Sequence, residues 1–191
     1  MKHSQNFIRS GINDVDVTAL VSHIRGLALN FEVRPKEWDY ESAVLILSDA
    51  ILSVRRNYDS VVTPIIERIR RHKLHEYSLE QLVEIIDTRG CDHLMDLWQY
   101  RETERVIRLR NLSRKFVTLK SEMDLSNDME TLRQWAQTAT VEASKAFGVK
   151  GVGIATYQYL RILSGVDTVK PDVHLKQAVK DATVIRRQTF R

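Results

Sequence analysis

The sequence predicts an all-α fold, and three observations support that prediction. Apolar residues recur at spacings of three and four along most of the 191 residues, as on one face of an amphipathic helix. The chain has only 7 Gly and 3 Pro, whereas an all-β protein needs turn residues about every ten positions. The sequence also contains no clear alternating strand pattern. We therefore expect one all-helical unit over residues 1–191, or two helical lobes that share a core.

The first half of the chain is predicted to contain four helices. An amphipathic helix spans about 17–27, and the apolar run 43–54 is too long for a usual strand and is predicted to be a buried central helix. A third helix, 61–73, ends in a basic cluster that complements its dipole. The fourth helix, 79–87, opens with a capping box and ends at Gly90 in a left-handed conformation.

The second half is predicted to be helical as well. Residues 102–119 form one long helix whose inward face carries Val106, Leu109, Leu112 and Phe116. The other faces of this helix carry five basic residues: Arg105, Arg108, Arg110, Arg114 and Lys115. One or two shorter helices are expected over 129–147, with Gly148 at the end.

The composition excludes several classes of protein. No run of about 18 apolar residues is present, which argues against a membrane span, and the polar N-terminus does not resemble a secretory signal. The single cysteine, Cys91, cannot form an internal disulfide, an iron–sulfur cluster or a cysteine-based zinc site. These features indicate a cytoplasmic protein in which Cys91 is a small core residue.

The charge is unevenly distributed. Residues 101–120 carry a net +5 and residues 145–191 a net +6, and between them residues 121–144 carry a net −4. Clustered Lys and Arg displace counterions from phosphates, so the pattern favours a polyanionic partner. The alternative is that these charges are solvated helix faces with no partner.

The most informative local pattern is the stretch from Val149 to Thr156. A Gly-X-Gly hairpin, Gly151-Val152-Gly153, follows one helix and opens another near Ile154. Glycines in such a hairpin leave backbone amides exposed, and a helix N-terminus attracts anions, so the pattern predicts a phosphate site that does not read bases. Lys150 adds positive charge. A tight turn between two helices is the alternative interpretation.

The stretch 149–175 resembles the signature of the helix–hairpin–helix DNA glycosylases, the endonuclease III-like superfamily. The resemblance covers about residues 38–185 as a pattern of helices, and it is specific only over about 150–175. The matching residues are the hairpin Gly151-Val152-Gly153, Thr156 at the helix start, Gly165 at the turn, and Asp172 with His174 as an Asp-x-His motif.

The resemblance implies a helix–hairpin–helix bundle and a duplex DNA partner, with the backbone contacted by Lys150, Gly151, Val152, Gly153, Ala155 and Thr156. Many family members carry a lysine at the position of Ala155 and are also lyases. This chain therefore resembles the monofunctional members. It also lacks the cysteines for the iron–sulfur cluster that often follows the domain, and no metal is implied. A monovalent cation at the hairpin would fit the family.

The resemblance assigns the chemistry to Asp172. A carboxylate beside the sugar stabilises its oxocarbenium-like transition state and can activate a water for attack on the N-glycosidic bond. The alternative role for Asp172 is a helix N-cap, and His174 is expected to be structural. Residues near the buried helix 43–54, namely Asp49, Arg55 and Tyr58, are candidate base or wedge contacts.

Three functions remain open at the level of sequence. The first is a monofunctional base-excision DNA glycosylase that uses Asp172. The second is a non-catalytic helix–hairpin–helix DNA-binding protein in which Asp172 is only a cap. The third is a helical scaffold whose basic helix binds an acidic protein surface. The base or lesion and the oligomeric state are not specified by the sequence.

Overall fold

The computed structural model describes residues 40–171, 173 and 175–180, together with 17–18, 21–22 and 25–26. It divides into two compact units, one of residues 36–171 and one of residues 1–35 with 172–191. Every regular element in the described part of the chain is a helix. The predicted all-α class is therefore confirmed for these residues. None of the described helices is long and apolar enough to cross a membrane.

In the unit of residues 36–171, the described residues 40–171 form six α-helices and three short helical turns. The α-helices are α1 (Ala43–Leu52), α2 (Thr63–Arg71), α3 (Leu79–Trp98), α4 (Thr103–Glu122), α5 (Asp128–Thr138) and α6 (Ile154–Leu163). A π-helical turn, Tyr58–Val62, precedes α2, and 3-10 turns occupy Leu74–Glu76 and Glu142–Ala146.

Helix α1 is the centre of the core. All ten of its residues are buried, including the polar Ser48 and Asp49, and α2, α4 and α6 pack against it. A helix that is apolar on all sides must be surrounded by other elements, so the long apolar run at 43–54 was correctly predicted as the central helix. The inward face predicted for the long basic helix is also confirmed, because Val106, Leu109, Leu112 and Phe116 are fully buried in α4.

Arg105 differs from its expected place on the basic outer faces of α4. Its side chain is only 3% exposed, and its guanidinium donates to the carbonyls of Ile51, Leu52 (3.1 Å) and Val54 (2.8 Å). The last carbonyls of a helix have no partner within it. Arg105 turns inward because it supplies donors to the C-terminus of the buried helix α1.

The helix predicted to end at Gly90 is interrupted there, but by a kink and not by a left-handed helix end. Gly90 has a positive φ of 79°, as expected, but its ψ of 170° is not that of a left-handed helix end, and helical backbone resumes at once to give α3 through Trp98. The capping box at Ser78 and Gln81 is confirmed, with Gln81 N donating to Ser78 Oγ (3.2 Å) and Ser78 N donating to Gln81 Oε1 (2.9 Å).

Four aromatic rings join the second half of this unit. Phe116 of α4, Trp135 of α5, Phe147 and Tyr157 of α6 have neighbouring ring centroids 5.0–6.1 Å apart, mostly edge to face. This cluster fixes α6, and the hairpin before it, against α4 and α5.

The described residues of the other unit are helical. They include residues 17–18, 21–22 and 25–26 of the first predicted helix and residues 175–180. Val17 and Val21 are exposed, whereas Leu20, Ile24 and Leu27 lie outside the described residues.

Candidate nucleic-acid interface

A tight turn connects Gly148 to α6. The amide of Val152 donates to the carbonyl of Val149 (3.0 Å), and Gly151, the third residue of this turn, has a φ of 87°. That conformation is typical of the third position of a type II turn and strongly favours glycine. Lys150 occupies the second position, where proline is common. The turn therefore forms in this chain with lysine at that position.

The turn leads directly into the N-terminus of α6. Gly153 is the N-cap residue, with extended backbone (φ −85°, ψ 179°), and its carbonyl accepts from the amide of Tyr157 (2.9 Å). The first amides of a helix have no partner within it, and Gly153 has no side chain with which to cap them. The amides at the start of α6 are therefore left without a side-chain cap from Gly153.

Apolar residues anchor the turn and leave its glycines exposed. Val152 is buried and Val149 is packed against the core. Lys150, Gly151 and Gly153 are exposed. The hairpin therefore presents backbone and one ammonium group at the surface, supported from beneath by two valines.

The basic helix α4 reaches the hairpin through Arg108. A Cβ placed on Gly151 would lie 2.6 Å from Arg108 Nε and 2.8 Å from its Cδ. Arg108 Nε has no hydrogen-bond partner in the described part of the chain, and the guanidinium meets Glu104 only at 3.7 Å. Gly151 is thus favoured by its positive φ, and a side chain at this position would in addition displace Arg108.

Other basic residues of α4 have partners within the protein. Arg114 forms an ion pair with Asp87 of α3, and Arg110 approaches the same carboxylate at 3.4 Å. Together with the buried Arg105, they show that much of the basic block at 101–120 is structural. Arg108 is the member of this block that comes to the hairpin.

The remaining residues expected at the hairpin lie as follows. Ala155 is half-buried, and Thr156 is only 6% exposed, so the Thr156 side chain packs inward with little surface to offer a phosphate. Asp172 and His174 lie outside the described residues. In the described part of the chain, no group of three His, Cys, Asp or Glu side chains could hold a metal ion.

The three candidate base or wedge contacts are placed differently from one another. Asp49 is completely buried, whereas Arg55 is exposed with a left-handed φ of 54° in the loop after α1. Tyr58, in the π-helical turn, is half-buried and donates its hydroxyl to Asp49 Oδ2 (2.7 Å). Of the three, Arg55 has the accessibility that a DNA contact needs.

Asp49 is the centre of a hydrogen-bonded cluster. Its Oδ2 accepts from the hydroxyls of Tyr40 and Tyr58, both at 2.7 Å, and its Oδ1 accepts from the hydroxyl of Tyr159 on α6 at 3.0 Å. Burial raises the pKa of Asp49 above its usual range, while the three phenol hydrogen bonds and the charge of Lys170 act in the opposite direction. Burial also raises the pKa of each of the three tyrosines.

The sequence predicted Asp49 and Tyr58 as candidate base or wedge contacts and not as hydrogen-bond partners. It did not predict that Tyr40 and Tyr159 would contact Asp49. A signal was available, because an aspartate inside an apolar helix must find donors when it is buried. Tyrosine is a suitable partner, since its ring is apolar and its hydroxyl can donate. Which tyrosines fill this role depends on how α1 and α6 pack.

A groove of about 880 Å³ lies apart from the hairpin. It is lined by Glu41, Asn127, Met129, Glu130, Arg133, Gln134 and Gln137. None of the hairpin residues borders it, and its lining contains no group that extends the candidate interface.

Comparison with known proteins identifies the family of this chain. No curated protein and no solved structure matches the chain. Residues 18–190 match the model of a family described as a domain of unknown function (DUF8548), so the chain belongs to that family.

Proposed function

We propose that the protein binds the backbone of double-stranded DNA through the hairpin 149–153 and the N-terminus of α6. The observation that carries this proposal is that the Arg108 side chain lies against Gly151, in the turn that leads into the N-terminus of α6 without a side-chain cap, while Lys150 is exposed in the same turn. The turn thus combines helix-terminal amides, a guanidinium and an ammonium. A phosphate accepts hydrogen bonds from all of them.

This mode of binding is independent of base sequence. Amides and cations that contact phosphate oxygens fix the position of the protein on the duplex and carry no information about the bases. Each neutralised phosphate releases counterions, so the affinity should fall steeply as salt increases.

The direct test compares two glycine variants in a salt titration of a labelled duplex. Gly151→Ala forces a side chain into a left-handed position and against Arg108, and it should weaken DNA binding by about tenfold or more. Gly165→Ala is the matched control, because Gly165 also has a positive φ (94°) but open space around its Cβ. It incurs the same kind of backbone strain after α6, away from the turn.

The outcome decides between hairpin binding and a general folding defect. Retained affinity in Gly165→Ala with loss in Gly151→Ala supports the proposal. Equal loss in both variants, or a wild-type protein without salt-dependent affinity for DNA, contradicts it and favours a helical scaffold that binds an acidic protein surface.

A second candidate is monofunctional base excision with Asp172 as the catalytic carboxylate. What supports it is the order of elements, in which the hairpin, the ten-residue helix α6 and a left-handed turn at Gly165 precede the motif Asp172-Val173-His174. The target base would leave the stack first, because its glycosidic bond is inaccessible within a duplex.

The chemistry of this candidate is hydrolysis. A water attacks the anomeric carbon, the C–N bond breaks, and the base departs with a proton while Asp172 stabilises the positive sugar. Ala155 offers no amine for attack on the sugar, so strand cleavage as a lyase is not expected.

The catalytic proposal is tested separately from DNA binding. Duplexes that carry modified bases are incubated with the protein and then treated with hot alkali to reveal abasic sites. Asp172→Asn should bind DNA with unchanged affinity and lose excision. Equal excision by both proteins contradicts the role of Asp172, and DNA binding without excision by the wild type leaves the non-catalytic alternative.

A further inference from the structure

The buried carboxylate of Asp49 has no role in the DNA contacts proposed above. It is fully enclosed in an otherwise largely apolar helix, where an apolar residue of similar size would often be at least as stable. Its three hydroxyl donors come from three separate parts of the chain: Tyr40 ahead of α1, the π-helical turn and α6.

A cation lies on the outer side of this cluster. Lys170 Nζ is 3.9 Å from the centroid of the Tyr159 ring, and the hydroxyl of the same ring donates to Asp49 Oδ1. The charge of Lys170 stabilises the ionised form of Asp49, so by reciprocity ionised Asp49 stabilises Lys170 in this position. Arg70 lies over the Tyr40 ring at 5.6 Å and is exposed.

Lys170 ends a non-helical segment that returns along α6. Residues 166–170 follow the turn at Gly165, and Gln158 Nε2 of α6 donates to Thr168 Oγ1 (3.2 Å). Besides the turn hydrogen bond from Val166 N to the carbonyl of Arg161 (3.0 Å), two side-chain contacts connect the segment to α6. One is the neutral hydrogen bond at Thr168, and the other, here called the ionic tie, is the Lys170 ammonium over the Tyr159 ring, with the Asp49 carboxylate behind that ring. In sequence it leads directly to Pro171 and Asp172.

We propose that Asp49 is a positioning residue for Lys170, and that its negative charge, acting from beneath the Tyr159 ring, holds the segment 166–170 against α6. The charge attraction requires an ionised Asp49 and a protonated Lys170. Acidification that protonates Asp49 removes this attraction and leaves Lys170 held by the weaker cation–π contact alone, while the Gln158–Thr168 hydrogen bond persists. In the part of the chain that the structure describes, the titratable and charged groups that face this site include Tyr40, Tyr58, Tyr159, Lys170 and, over Tyr40, Arg70.

The test follows Lys170 by NMR in the full-length protein. Its ε-methylene protons lie over an aromatic ring and should be shifted upfield at neutral pH. We expect this shift to shrink as the pH is lowered, together with the resonance of the Asp49 carboxyl carbon. Amide exchange of residues 167–170 should become about tenfold faster over the same range.

Three variants separate the ionic tie from folding. Asp49→Asn should give the released Lys170 position at every pH, and Lys170→Met should speed amide exchange of the segment by the same factor. Thr168→Val, which loses only the neutral tie, should keep the pH-dependent shift of Lys170. All three variants are compared with wild type by the near-UV circular dichroism of the aromatic core.

The outcomes are decisive even if Asp49→Asn fails to fold. A Lys170 shift in the wild type that does not follow the ionisation of Asp49 overturns the proposal, as does Lys170→Met with unchanged exchange at 167–170. A folded Asp49→Asn with the wild-type Lys170 shift overturns it as well.

Discussion

The role of a single side chain in this protein depends on its surroundings more than on its residue type. Arg105 and Arg108 lie three residues apart on α4, yet one is buried against the end of α1 and the other reaches the hairpin. The guanidinium of Arg105 also donates through Nε to Glu102 (2.8 Å), which pairs in addition with Arg56 and Tyr100. Arg105 is therefore a structural residue despite its charge.

Replacing Arg105 with methionine should be strongly destabilising. The substitution leaves the carbonyls at the end of α1 without their donors and removes the principal partner of Glu102, which should lower the free energy of unfolding by about 3–5 kcal/mol. Urea unfolding followed by tryptophan fluorescence measures this loss. Arg101→Met is the control, because Arg101 is 68% exposed and its ion pairs should contribute about 1 kcal/mol or less. Equal effects would mean that the end of α1 does not need Arg105.

Glu102 gives a second prediction at this scale, in the pH dependence of stability. Burial acts to raise its pKa, but hydrogen bonds from Arg105 and Tyr100 and the nearby positive charges lower it to about 2, from its ordinary value of 4.5. The pKa is depressed in the folded state, so the stabilisation is present above the unfolded value and is lost as the pH falls from 4.5 toward 2.

The variant Glu102→Gln should therefore show a shallower loss of stability than wild type over that acidic range, measured by urea unfolding at several pH values. Asp49 changes the free energy of unfolding with pH in the opposite direction, since its pKa is raised in the folded state. An unchanged slope in Glu102→Gln would show that this carboxylate does not control acid stability.

At the scale of elements, the hairpin and α6 form one continuous turn–helix unit that is determined by local sequence. Gly148, Gly151 and Gly165 have positive φ, and Gly153 is an extended N-cap. A serine or aspartate would be a better cap for α6 than glycine. The chain thus leaves the first amides of this helix uncapped, which suits a phosphate site better than it suits helix stability.

Gly153→Ser should stabilise the protein and weaken DNA binding at the same time. Its hydroxyl would accept from the first amides of α6, adding about a few tenths of a kcal/mol of stability, and would compete with phosphate for those amides. Gly153→Ala is the matched control, because space around this Cβ is open and alanine brings no acceptor. Thermal unfolding and DNA anisotropy measure the two effects. Greater stability with undiminished affinity would show that these amides do not hold DNA.

At the scale of the whole molecule, packing determines which positive charges are available to a partner. Residues 101–120 carry a net +5, but Arg110 and Arg114 of α4 face Asp87 of α3 and Arg105 is buried. The contact of Arg108 with Gly151 brings one positive charge of this block to the turn that contains Lys150. Within residues 101–120, the cationic surface is therefore smaller and more local than the charge pattern indicates.

Arg108→Met should lower DNA affinity and reduce the slope of log affinity against log salt by about one, as expected for one lost phosphate contact. Arg114→Met removes the same charge from the same helix but at a residue paired with Asp87. It should leave the slope unchanged. If both variants reduce the slope equally, the binding is a diffuse effect of net charge and not a contact at the hairpin.

The sequence by itself determined the helices and the hairpin of this protein. Apolar spacing located α1 and the inward face of α4, and Gly151-Val152-Gly153 located the turn, because these features depend on residues only a few positions apart. The tertiary structure decided the rest. It buried Arg105, brought Arg108 beside Gly151, and gathered Tyr40, Tyr58 and Tyr159 around Asp49. The three tyrosines lie between 9 and 110 positions from Asp49 along the chain. Helical periodicity, which relates residues three and four positions apart, therefore does not predict these contacts. The hairpin that we expect to bind DNA is therefore determined by local sequence, whereas the position of Arg108 beside it depends on how the helices pack.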